Sequence, residues 1–455
     1  RPSMVSEAVR SALSRVVGGR RVLLAGDVAA AQTLKGALLA EMGADVRGIV
    51  AREGTGELPA HEYRMLGGVA SASIMDGIWA FERAVADLPD AVVAWLDAWD
   101  PDRSALVMPT TPSVLPPIAG RRMYGQRPAE WAALEDKTII DAVWDAAGIT
   151  RAPAHIVPLA MAPSAHRALG GNTVWSADNT AGWHGGAARV RWVHSQEAVE
   201  RTLAEFAPIA EMVRVMPFLE GIPCSIHAYV LPDAIEVFRP IEMLILRDRP
   251  NGRFEYASVG TGWDPRPDDR EHMRGVARAV AEHLRATMGY LGGFSIDGVM
   301  TVDGFRPTEL NPRLSAGLGL QLGLIADDLP VGTLTHLLLE GDLDATLLHG
   351  LGERAVEASD AMRIARVVLH SLEPLDDAEV PVAWTGSDVV EVAEEDAKAV
   401  VRAGTAPSGW VVMARFEDVP AGPSLAPLAR AVARFASDRL GARHDDYEIP
   451  ADVRA

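Results

Sequence analysis

The sequence holds a single cysteine, Cys224, and only three lysines, Lys35, Lys137 and Lys398, among 455 residues. One thiol excludes an internal disulfide framework and any cysteine-only zinc cluster, and it fits a reducing compartment. No stretch approaches the ~20 apolar residues needed to cross a bilayer. The opening Arg1-Pro2-Ser3 is not the basic segment plus apolar core of a secretory signal. A soluble, cytoplasmic chain with no membrane contact is expected. Positive charge is also short: 43 basic residues against 62 acidic ones leave a net charge of −19. That balance argues against a phosphate-backbone partner, so no nucleic acid is expected. Forty of the basic residues are arginine. A GC-rich coding bias explains such a ratio, and the useful question is what keeps any lysine.

At ~100–200 residues per domain the length suggests about three domains. Near the start, residues 4–17 read as a helix, Arg21–Ala25 as a strand ending at Gly26-Asp27, and the following residues as a helix to Met42. Gly43 stands where a C-cap is expected, and Val46–Ala51 reads as a second strand. Strand–helix–strand order predicts a parallel, Rossmann-like sheet in residues 1–130. The turn after its first strand has one glycine and lacks the others of a dinucleotide fingerprint, so a structural role is expected there. Pro109 to Pro117 reads as a boundary segment. Asp136 is placed as the N-cap of a helix running to Ala147 and closed by Gly148. Strand patterns follow at 188–193, 211–219, 224–230 and 235–246, then a long helix at 268–288. The tail from about 350 mixes strands (364–370, 410–415) with a last helix at 425–440.

The chemistry concentrates in 292–313. Asp303-Gly304 signals a β-hairpin turn, and its register decides what the hairpin presents. A two-residue loop pairs Val302 with Phe305 and puts Asp297 and Glu309 on opposite faces. A three-residue loop, with Gly304 in the left-handed position, pairs Thr301 with Phe305 and sets Asp297 directly across from Glu309. Asn311 and Arg313 then follow on the same face, while Phe294, Ile296, Met300 and Leu310 line the other. Opposed carboxylates repel unless a cation joins them. Two carboxylates and an amide oxygen are hard ligands suited to Mg²⁺ on a substrate's phosphates.

At Asp297 and Glu309-Leu310-Asn311-Pro312-Arg313 the sequence resembles the ATP-grasp superfamily. The resemblance covers residues 131–345 as the ATP-grasp domain, with 1–130 matching the preceding Rossmann-like domain and 346–455 left as a small C-terminal α/β module. The implied fold is mixed α/β and α+β. The resemblance implies Asp297, Glu309 and Asn311 as ligands of one or two Mg²⁺ ions (Mn²⁺ being an alternative) on ATP, with Arg313 facing the transferring phosphate. Asp136-Lys137 resembles the start of the grasp domain, where a lysine reaches nucleotide phosphates. Asn179 to Gly186 resembles the glycine-rich lid, which implies phosphate contacts from His184, Gly185 and Gly186. Met216 to Gly221 resembles the segment that reads adenine, implicating Phe218, Leu219 and Glu220, although Pro217 stands where an acid is common. The strand before the lid, Thr173 to Asp178, lacks the usual lysine, with Arg189 or Arg191 as candidate substitutes. Arg239 and Glu242 are expected on a strand facing the cleft, Arg239 for a substrate carboxylate; an interstrand salt bridge is the competing reading.

The implied activity is ATP-dependent carboxylate–amine ligation through an acyl phosphate, forming an amide or peptide bond between small-molecule substrates. The layout resembles peptide ligases of specialised metabolism, of the pheganomycin-biosynthesis kind. A non-catalytic ATP-binding or regulatory protein on the same scaffold, and an acyl-phosphate-forming ligase with a thiol acceptor, are the alternatives. Monomer and homodimer both stay open. Of the lysines, Lys137 alone falls where nucleotide phosphates are expected, so its replacement by arginine should impair ATP use where those of Lys35 and Lys398 do not.

Overall fold

The computed structural model describes residues 6–54, 56–67, 74–326, 329–371, 373–406, 409–442 and 447–454. The first helix runs from Glu7 to Val17; positions 4 and 5 of the expected helix lie outside the described residues. Val9, Leu13, Val16 and Val17 form its buried stripe, and Ser6 Oγ caps it by accepting from the Val9 N–H at 3.3 Å. It packs on a parallel sheet of β1 (Arg21–Ala25), β2 (Asp45–Val50), β3 (Glu62–Met65) and β4 (Leu106–Pro109), in the order β3-β2-β1-β4. The turn after β1 is filled from within. Gln32, fully buried, donates to the carbonyls of Leu24 and Ile49 at 3.4 and 3.3 Å, and a Cβ on Gly26 would lie 2.0 Å from Thr110 Oγ1.

A second sheet is antiparallel: β5 (His155–Pro158), β6 (Thr173–Ala177), β7 (Val190–Val193) and β8 (Met212–Pro217), ordered β5-β8-β6-β7. The third comprises β9 (Ile222–Val230), β10 (Ile235–Val237), β11 (Ile241–Asp248), β12 (Arg253–Gly260), β13 (Gly292–Thr301), β14 (Gly304–Asn311), β15 (Ile364–Ser371), β16 (Ala378–Trp384), β17 (Val389–Glu391), β18 (Ala399–Ala406) and β19 (Gly409–Glu417). Its order is β14-β13-β9-β11-β12-β15-β19-β18-β16-β17, with β10 paired to β9. The boundary expected near 345 thus falls inside one continuous sheet, because β12 pairs with β15. Among the described residues no helix is long and apolar enough to cross a membrane.

Two expected elements are corrected. The strand 235–246 is broken at Phe238-Arg239-Pro240 into β10 and β11, since proline lacks the ladder donor. The helix after Asp136 starts at Ile140, not at its neighbour. Asp136 Oδ1 instead closes a local turn, accepting from the N–H and hydroxyl of Thr138 at 2.8 and 2.7 Å.

The hairpin β13–β14 reaches the expected pairing by a different route. Its loop has two residues, Val302-Asp303, and pairs Thr301 with Gly304, whose φ is +99°. Continued unchanged, that register would put Asp297 across from Thr308. A bulge at Thr308 moves the ladder by one residue, and Asp297 faces Glu309. The Thr308 hydroxyl donates to the Asp297 carbonyl at 3.2 Å and holds the bulge in place. On the far face Phe294, Ile296, Met300, Phe305 and Leu310 join a core with Ile222, Cys224 and the helix Pro267–Met288.

Candidate active site

The second and third sheets face each other across a cleft of about 300 Å³. Its blind end is apolar. Val174 and Met216 stand on one wall and Met243, Ile245 and Val259 on the other, with Phe218 and Leu219 at the crossover between the sheets. Phe218 stacks on Trp192 with centroids 4.4 Å apart at 17°, and the Arg247 guanidinium lies 4.9 Å from its ring centre. This crossover needs Gly221. At φ +144° its hydrogen points at β13, and a Cβ there would sit 2.0 Å from the Met300 carbonyl oxygen.

The polar end holds Asp297, Glu309, Asn311, Arg313 and Lys137. Lys137 Nζ lies 2.9 Å from Glu309 Oε1. Asp297 takes hydrogen bonds from the Ser225 hydroxyl, its cross-strand partner on β9, and from Asn311 Nδ2 at 2.9 Å. Burial, with Glu309 opposite, raises the Asp297 carboxyl to about 7 although Ser225, Arg313 and Lys137 work the other way. An acid pair under this strain, plus the Asn311 amide, suits a divalent cation. Among the described residues no group of three or more His, Cys, Asp or Glu forms a self-sufficient metal cage. The set therefore fits an ion that completes its shell with phosphate oxygens and water.

Glu135 organises the rim, and the sequence reading missed it. It is 1% exposed, and Arg127 Nη2 approaches its Oε1 to 2.6 Å. Its Oε2 accepts from Arg313 Nε at 3.1 Å and from the Trp183 indole N–H. Burial alone would raise this carboxyl, yet Arg313 and Arg127 prevail and hold it below the usual carboxylate range. Arg313 also donates to Asn311 Oδ1 at 3.0 Å, and its guanidinium lies 5.5 Å from the Trp183 ring centre.

The glycine-rich segment expected as a lid joins β6 to β7. Gly186, at φ +59°, lines the cleft; Gly185 lies next to Trp183 and Arg313. His184 does not line it. Its Nε2 sits 3.1 Å from the Ala177 carbonyl oxygen, and burial, aided by Lys137, pushes its pKa down to about 3, so the ring is neutral. The lid reaches the first sheet's layer, where the Trp79 indole donates to the Trp183 carbonyl at 2.8 Å.

Neither suggested substitute for the absent lysine lines the cleft. Arg189 is spent on the carbonyls of Gly182 and Ala181, and Arg191 on Glu205. A cation does line the cleft from the neighbouring strand, and it too is paired. Ser176 on β6 pairs with Arg214 on β8, and both side chains line the cleft. Arg214 is 1% exposed and donates through Nε and Nη2 to Asp141 at 2.9 and 2.8 Å. A cross-strand neighbour on the same face was the available signal.

Three expected site residues have other work. Arg239, fully buried, pairs with Asp264 and lies 3.4 Å from Asp360, away from the cleft, because the break at Pro240 turns it off the strand face. Glu242 accepts from the Leu425 N–H at 2.7 Å and the Ser424 hydroxyl at 2.5 Å, capping the helix Ala426–Leu440. Glu220 pairs with both terminal nitrogens of Arg247 at 2.8 and 2.9 Å, and its carboxylate is off the cleft.

A cleft between two antiparallel sheets, with an acidic hairpin on one and a glycine-rich lid on the other, is the ATP-grasp fold. No family model and no curated protein matches the sequence. Solved structures do. An L-amino acid ligase from Bacillus licheniformis is 14% identical with a TM-score of 0.57, over 92% of this chain and 98% of that one. Biotin carboxylase from Campylobacter jejuni, bound to an ATP analogue, gives 14% and 0.53 over 92% and 91%. Carboxyaminoimidazole ribonucleotide synthase from Aspergillus clavatus, complexed with ATP, gives 10% and 0.52 over 91% and 98%. At these identities the likeness is one of fold.

Proposed function

We propose that this chain is an ATP-dependent carboxylate–amine ligase acting on small molecules. The observation that carries the reading is Asp297 set directly across from Glu309, with Lys137, Asn311 and Arg313 beside them, at the open end of an otherwise apolar cleft. Adenine enters the apolar end beside Phe218 and Leu219, and the phosphates run toward Lys137 and Arg214. Asp297, Glu309 and Asn311 would hold Mg²⁺, which neutralises phosphate charge when bound. A substrate carboxylate oxygen attacks the γ-phosphorus, the bond to ADP breaks, and ADP leaves with its electron pair. Arg313, aimed by Glu135, stabilises the acyl phosphate. An amine then attacks the acyl carbon, loses a proton and expels phosphate. Trp183 and the lid keep water from the acyl phosphate. Residues 1–130 serve as the preceding domain and the grasp begins at 131, its large sheet running on into the strands after 346. A peptide bond of specialised metabolism is the product class we favour.

Replacing Glu309 by glutamine keeps its size and removes the charge. ADP and amide formation should fall by about 100-fold or more, as for other charge-stabilising groups of phosphoryl transfer. Turnover near wild type would refute the assignment. The Ser176 position favours a second reading, an ATP-binding protein without turnover, since no lysine stands there. Tight Mg-ATP binding with no ADP release over a broad panel of acids and amines would support it.

A further inference from the structure

A second cavity, of about 430 Å³, lies between the first sheet's layer and the metal hairpin. Arg313 lines both cavities, so whatever occupies the second ends at the place where the acyl phosphate is proposed to form. Its walls are largely apolar, with Pro112, Trp131, Tyr290 and Leu314 among them.

Among the described residues one cation in this cavity, Lys35, has no acid partner. Lys35 Nζ sits 2.8 Å from His336 Nε2. His336 Nδ1 is 2.8 Å from the Gly125 carbonyl oxygen, to which only a protonated nitrogen can bond. The proton is therefore on Nδ1, Nε2 is an acceptor, and the ring that meets the ammonium is neutral. Burial, aided by Lys35, pushes the His336 pKa down to about 3, and burial lowers Lys35 to about 8, which leaves the amine mostly charged at neutral pH. Among the described residues no carboxylate lies within ion-pair reach of Lys35. Arg127, the neighbouring guanidinium, is by contrast saturated by Glu135 and the carbonyls of Pro112 and Pro312. A half-buried ammonium without a counter-ion loses hydration that a ligand carboxylate would make good.

We propose that Lys35 anchors a carboxylate carried by the amine substrate, with its amino end directed at Arg313, so that the acceptor is an amino acid or short peptide and not a simple amine. The proposal rests on the ligase reading for the role of the ligand, not for its binding. The cavity's volume accommodates an amino acid with an apolar side chain, and its walls suit one.

The test is calorimetric binding of apolar amino acids, their methyl esters and the corresponding amines to the full chain, in wild type, Lys35→Met and Lys35→Arg, with ADP release followed separately. Wild type should bind the free carboxylates and Lys35→Met should bind them about 10- to 100-fold more weakly, the worth of a charge-assisted hydrogen bond. Esters and amines should bind all three alike, Lys35→Arg should recover part of the loss, and ATP affinity should not move. Carboxylates and esters bound equally by wild type, no carboxylate bound at all, or unchanged affinity in Lys35→Met would each overturn the proposal. Lysine-dependent carboxylate binding without any ADP release would leave the anchor standing and sink the ligase reading instead.

Discussion

Arg313 Nε donates to Glu135 Oε2 at 3.1 Å, joining residues 178 positions apart in sequence. Glu135 follows the first layer and Arg313 follows the hairpin β13–β14, so this contact sets where the guanidinium stands relative to both cavities.

Glu135→Gln keeps the shape and weakens the hold on Arg313, Arg127 and Trp183 together. We expect kcat to fall about 100-fold, the cost of an ångström-scale misplacement, with KM for ATP changed less than about threefold. Steady-state ADP release at varied ATP checks the split. Equal losses in both constants would mean that Glu135 holds the nucleotide pocket itself.

Lys137→Arg should reduce kcat/KM for ATP by about tenfold or more, because a planar fork cannot replace a point charge 2.9 Å from Glu309 in a site 6% exposed. Lys398→Arg, on an exposed position, should have no effect. The three lysines thus divide into one beside Glu309 in the cleft, one at the second cavity and one exposed.

Gly221→Ala should destabilise the chain by about 2–4 kcal/mol, combining a strained φ with a clash against the Met300 carbonyl. Urea unfolding measures it. A loss below about 0.5 kcal/mol would show that the crossover tolerates a side chain.

Glu242 predicts a pH dependence of stability. Burial raises its carboxyl to about 7, despite the bonds from Leu425 and Ser424, while the unfolded chain keeps an ordinary value near 4.3. Below the unfolded value both states are protonated and the group costs nothing. As pH rises from about 4.3 toward 7 the unfolded chain ionises while the folded one still holds its proton, so stability falls by a few kcal/mol and levels off above about 7. Glu242→Gln should therefore flatten the decline in melting temperature between about pH 5 and pH 7. An unchanged slope would assign the decline to other groups.

Much of the site was legible because its chemistry is local. Glu309, Asn311 and Arg313 alternate along one strand, so a period of two suffices to put them on one face. The route to Asp297 was not legible. A two-residue loop was one of the lengths considered, but it lies one residue earlier than expected, and a bulge at Thr308 that no turn residue announces produced the expected pair. Arg239 was misplaced because Pro240 was read inside a strand that it breaks. Glu135, Arg214 and Lys35 escaped for a common reason: each acquires its role from a partner 70 to 300 residues away. In a chain with 43 basic residues, no pattern marks which of them face a cleft.

The order in which the large sheet is assembled follows from its pairing. β13 and β14 close on β9 with chain made before residue 312, but β12 finds its outer partner only in β15, about a hundred residues after β12 ends. At roughly 5–20 residues per second of synthesis, that edge stands bare for about 5–20 s, and for about the second half of that time the hairpin β13–β14 has already been made. A bare strand edge is a template for pairing with another chain, so β12 stays open to such pairing until β15 has been made.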